Sequence, residues 1–183
     1  MEITESVKVI EKMMAEGRKS INNYSPYFIL WGAVMFTAAI TEYFLVGQTD
    51  MPWIVWPIAG GAGGILSAII GSKQKSNSAL DRIVGYTWLT FGICLLFSIF
   101  YSLHIQTTPH TIILLLAGGS TFISGGISGY KILFAAGFML FLAAFISGFV
   151  IPSELVSLVF ASGMLVGYLV PGIILNKREN DEA

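Results

Sequence analysis

Six apolar runs of about 20 residues occupy roughly 27–46, 53–71, 84–103, 110–128, 132–151 and 155–175 of this 183-residue chain. A run of that length crosses a hydrocarbon core of ~30 Å as a helix rising ~1.5 Å per residue. The runs are continuous and lack the period-2 alternation of barrel strands. Only a helix then satisfies its own backbone polar groups in lipid. The expected fold is an all-α membrane protein with six transmembrane helices. Composition agrees: 55% of residues are hydrophobic and 11% charged, where soluble domains carry roughly 25% charged residues.

The basic residues orient the chain. Lys8, Lys12, Arg18 and Lys19 precede the first run, and Lys73, Lys75 and Arg82 lie between the second and third. Lys131 follows the fourth, and Lys177 and Arg178 follow the sixth. The other three connections carry none. This is the positive-inside pattern, and it places both termini in the cytoplasm. The first 23 residues mix charges of both signs and no small-residue cleavage site follows, so the first run is expected to act as an uncleaved start-transfer helix. Short connections leave no room for a separate soluble domain. The chain divides into a cytoplasmic amphipathic helix (1–24), a transmembrane domain (25–176) and a cytoplasmic tail (177–183).

Residues 1–24 carry Ile3, Val7, Ile10, Met14 and Ile21 at helical spacing, with Lys8, Glu11, Lys12, Glu16 and Lys19 around them. Such a helix lies in the membrane interface, packs on the bundle, or binds a partner. Span ends carry capping signals: Ser25-Pro26, Asp50 with Pro52, Thr108-Pro109 and Ser153-Glu154 at starts, Gly47 and Gly71 at ends. Trp53, Trp56, Tyr43 and Tyr101 near one membrane face, and Tyr27, Trp31 and Trp88 near the other, read as interfacial aromatics.

A threefold internal pattern is superimposed. Trp31-Gly32, Phe91-Gly92 and Ala136-Gly137 open the odd spans alike. Ala59-Gly60-Gly61, Ala117-Gly118-Gly119 and Ala161-Ser162-Gly163 align in the even spans. The chain therefore reads as three tandem helical hairpins related by a pseudo-threefold axis along the membrane normal. Gly60 and Gly64, Gly125 and Gly129, and Gly163 and Gly167 form small-xxx-small stripes expected to pack helices closely.

Chemistry-bearing groups are few. Glu42 is the one carboxylate inside a span, beside Thr41. An ionisable group there either takes part in proton coupling or ligand binding, or forms a structural hydrogen bond to a neighbouring Tyr or His. His104 and His110 flank the second extracytoplasmic connection, between the third and fourth spans, and Asp50 and Glu154 share that face. Their spacing fits no metal-ligand motif, so no metal and no cofactor is assigned. Cys94, the only cysteine, falls mid-span as a small apolar filler. There is no phosphate-binding glycine loop, metalloprotease helix or nucleophile elbow, so an enzyme is not expected. Net charge near −1 gives no nucleic-acid footprint.

Tyr27-Phe28-Ile29-Leu30-Trp31-Gly32, Trp56-Pro57, and Gly167-Tyr168-Leu169-Val170-Pro171-Gly172 with Leu175-Asn176 together resemble small, uncharacterised six-span inner-membrane proteins common in Bacteroidetes. The likeness covers nearly the whole chain, and that family brings no functional residues to carry over. In its paired-helix repeats alone the chain is similar to the acid-resistance membrane proteins of the HdeD type. Two functional readings follow. One is a non-catalytic membrane protein acting through partners or the bilayer, in envelope stress or regulation. The other is a small-solute or ion carrier or channel subunit that uses Glu42. The partners open to such a chain are the lipid bilayer, a membrane or cytoplasmic protein, and a second copy of itself.

Overall fold

In the computed structural model, residues 2–72, 79–105 and 107–182 are described. They form helices α1 (Glu2–Leu45), α2 (Val55–Ser72), α3 (Ala79–His104), α4 (His110–Ser128), α5 (Lys131–Phe149), α6 (Val156–Met164) and α7 (Val170–Glu182). Short 3-10 turns lead into α2 and α6, and a π-helical turn, Leu165–Leu169, joins α6 to α7. Among the described residues there is no strand. Six helical stretches are long and apolar enough to cross a membrane: Ser25–Leu45, Pro52–Ser72, Arg82–Ser102, His110–Ser128, Lys131–Phe149 and Ser153–Arg178. The molecule is a multi-pass helical bundle. Lys73 and Lys75 of the sequence argument lie outside the described residues.

The first helix does not start where its sequence suggests. Ser25-Pro26 carries an N-cap signature, yet α1 runs unbroken from Glu2 through Pro26 to Leu45. Proline has no N–H to give, so one rung of the helical ladder is missing there, but its fixed φ is helical and the chain continues. Residues 2–24 therefore prolong the first span by roughly 35 Å at helical rise. Gly71 likewise does not cap α2 but lies within it, against the Tyr27 hydroxyl. Gly47 does end a span, at φ +82°, and the N–H groups of Gln48 and Thr49 return to the Leu45 carbonyl.

The π turn has an evident cause. Pro171 is fully buried one residue into α7, and a proline ring clashes with the carbonyl four residues earlier in a regular α-helix. The wider π turn immediately before it relieves that clash without breaking the span.

α1 is the central helix. It packs against α2, α3, α4, α6, the π turn and α7, while α5 is clamped between α4 and the α6–α7 rod. α2 leans chiefly on α1, and α3 on α1 and α4. Lipid tails are as apolar as leucine, so contact quality rather than water expulsion holds such a bundle together. α4 and α5 achieve it with Gly118 and Gly137 back to back: a Cβ on Gly118 would stand 3.2 Å from the Gly137 carbonyl oxygen, and one on Gly137 3.0 Å from that of Gly118. The axis between the helices is filled by Leu114, Leu133, Leu140, Phe160 and Met164, each almost wholly buried. Toward the basic end, Phe28, Trp88 and Tyr168 close the core as a mutually packed aromatic group.

Candidate functional site

Glu42 sits one turn from the end of α1, and the fold brings three helix starts to it: Trp56 of α2, His110 of α4 and Ser157 of α6. The connections between spans are short, so span starts and span ends alternate at each face. A carboxylate near the end of the first span is therefore at the depth where the second, fourth and sixth begin. Its own helix presents a partial negative charge there, which is unfavourable. The three converging N-termini present partial positive charges, which offset it.

The carboxylate is 8% exposed and His110 is 2% exposed. The Trp56 indole N–H donates to Glu42 Oε1 at 2.8 Å. The Ser157 hydroxyl donates to Oε2 at 2.8 Å. His110 Nε2 stands 2.9 Å from the same Oε2, off the line that an aligned hydrogen bond requires, so this contact is mainly electrostatic. Donors facing both oxygens are the complement of an ionised, acceptor-only carboxylate. The other ring nitrogen, Nδ1, is buried and has no hydrogen-bond partner among the described residues.

Three rings wall the carboxylate off. Trp56 and His110 meet edge to face at 5.0 Å, Trp56 and Phe160 at 5.5 Å, and His110 and Phe160 at 5.1 Å. Edge-to-face triangles of this kind are favoured by ring quadrupoles. One residue beyond His110, the hydroxyls of Thr111 and Ser147 share a hydrogen bond of 2.7 Å that ties α4 to α5. The arrangement can hold a carboxylate away from bulk water, and it links four spans through one side chain.

Of the residues singled out in the sequence, Glu42 and His110 meet here. Thr41 does not: it is exposed and its hydroxyl returns to the Thr37 carbonyl at 2.8 Å. His104, Asp50 and Glu154 are exposed and stand apart, and among the described residues no three His, Cys, Asp or Glu side chains gather as metal ligands. The glycine stripes divide. Gly125 packs against the start of α5, Gly163 against Leu114, and Gly167 against Leu140. Gly129 takes φ +69° as the left-handed cap of α4, its N–H returning to the Gly125 carbonyl. Gly60 and Gly64 have nothing of this chain facing them; on α2 it is Gly63, against Trp31, that makes the close approach. Two members of the site are new. Trp56 reads in sequence as an interface aromatic, and Ser157 carries no signal except its depth, which matches that of Glu42.

The comparisons with known proteins return nothing: no family model, no curated protein and no solved structure matches the chain.

Proposed function

We propose that this chain is a non-catalytic bacterial inner-membrane protein, both termini cytoplasmic, that acts through protein partners or the bilayer in envelope stress or regulation. The observation that carries this reading is the state of Glu42. The one carboxylate inside a span is occupied by Trp56, Ser157 and His110, which leaves it little capacity for a passing solute. Solute paths need polar groups free to line a route; the buried Ser124 and Ser128 of α4 return their hydroxyls to carbonyls of their own helix, and the axis is filled by Leu114, Leu140 and Phe160. The prolongation of α1 beyond the span supports the partner arm: Val7, Val9, Ile10 and Met13 are about half exposed or more, and none of the described residues covers them. We read residues 1–24 as the amphipathic contact element. The packing of each odd span on the even span after it supports the three-hairpin description.

The test is deletion of residues 1–23 set against Glu42→Gln, with native mass spectrometry of the protein extracted in nanodiscs. The deletion is expected to abolish a fixed-stoichiometry complex with a partner protein, while Glu42→Gln leaves it in place. Retention of every partner by the deleted protein would overturn the partner arm.

A second reading has its own observation. The buried Nδ1 of His110, which has no partner among the described residues, beside a carboxylate is the pairing expected of a proton-coupled carrier. That reading requires flux in liposomes that Glu42→Gln abolishes.

A further inference from the structure

Two clefts of 510 Å³ and 440 Å³ open side by side between α3 and α4. Cys94 and Leu116 line both, so the two form one furrow along the helix pair. On α3 the first cleft runs from Ile83 to Cys94, a rise of roughly 16 Å. That is about half of a ~30 Å hydrocarbon core, the depth of one leaflet.

Arg82 stands at the mouth of this half-furrow and is exposed. It lies one turn before Tyr86, and Tyr86 and Thr90 line the cleft, so spacing of four puts all three on one stripe of α3. Among the described lining residues there is no carboxylate. The hydroxyl of Thr87 in the wall is already satisfied by the Ile83 carbonyl at 3.0 Å. The furrow thus offers a cation and a phenol at headgroup depth above an apolar slot one leaflet deep.

We propose that this half-furrow binds one anionic phospholipid, its acyl chain along α3 and α4 and its phosphate against Arg82 and Tyr86. The guanidinium fork suits a phosphate, and tyrosine is at home at the headgroup level. The inference deepens the bilayer arm of the proposed function and rests on its premise that the chain spans the membrane.

The experiment uses the full chain in phosphatidylcholine nanodiscs doped with phosphatidylglycerol carrying a photoactivatable acyl chain. Adducts are expected on 83–94 and 115–123, competed by unlabelled phosphatidylglycerol and not by phosphatidylcholine. Arg82→Gln is expected to lower them about fivefold, the effect of one basic residue at an anionic surface. Gly119→Leu, at a position where a Cβ meets nothing, fills the slot and is expected to lower them similarly. Equal labelling by a phosphatidylcholine probe, or unchanged labelling of Arg82→Gln, would overturn the proposal. So would a Cys94–Cys94 crosslinked dimer with an unlabelled furrow, which would assign the slot to a second copy. Each result is read on protein retained in nanodiscs, so loss of lipid selection is distinct from loss of the membrane fold or of a protein partner.

Discussion

At the scale of single residues, Glu42 carries the largest stake. Removing Glu42 takes away the acceptor of the Trp56 and Ser157 donors, and each buried donor left unmade costs roughly 1–3 kcal/mol. Glu42→Ala is therefore expected to lower stability by about 3 kcal/mol, seen as a fall in the thermal unfolding midpoint of the purified protein in nanodiscs. Ser157→Ala removes one donor and should cost about 1 kcal/mol. A double-mutant cycle with Trp56→Phe should be non-additive, since both side chains donate to the same carboxylate. Additive losses would mean that the two bonds are energetically independent. Half of this site could be read from sequence. A carboxylate in a span demands a partner, and a neighbouring Tyr or His was the candidate, of which His110 is the one found. Trp56 reads in sequence as an interface aromatic, and its place at the start of α2 fits that, but its bond to Glu42 is visible only from tertiary contact.

At the scale of helices, hydropathy located the spans well because length and apolarity are imposed by the bilayer itself. Local signals fared less well where packing overrode them. Ser25-Pro26 marks a helix start in water, but α1 passes through it. Pro171 would kink or end a regular α-helix, and it is absorbed by the π turn ahead of it. Glycine stripes reveal that helices can approach, not which ones do. The α4–α5 contact depends on Gly118 and Gly137, so Gly137→Leu should cost about 1–3 kcal/mol by overpacking. Gly64→Leu, on an open face of α2, should shift stability by no more than about 0.5 kcal/mol. The same thermal assay on both variants checks the contrast, and equal losses would show that α2's open face is covered in the membrane.

At the scale of the whole molecule, orientation is the property the basic residues argue for. In a Cys94→Ala background, Ala15→Cys should react with an impermeant thiol reagent only from the cytoplasmic side, and Thr49→Cys only from the opposite side; both positions are exposed. The reverse labelling would overturn the assignment of both termini to the cytoplasm. The central place of α1 was not readable from the sequence, because hydropathy ranks spans by apolarity and not by neighbours. It also has a consequence in time. The carboxylate that fastens four spans enters the membrane with the first of them, and Ser157 follows 115 residues later. At ordinary translation rates that interval is on the order of ten seconds. During it Glu42 lacks its full set of donors, so the half-made protein must shelter a bare carboxylate at the translocon or at the lipid surface. The final span, on arriving, then completes a bond that the first has been waiting to make.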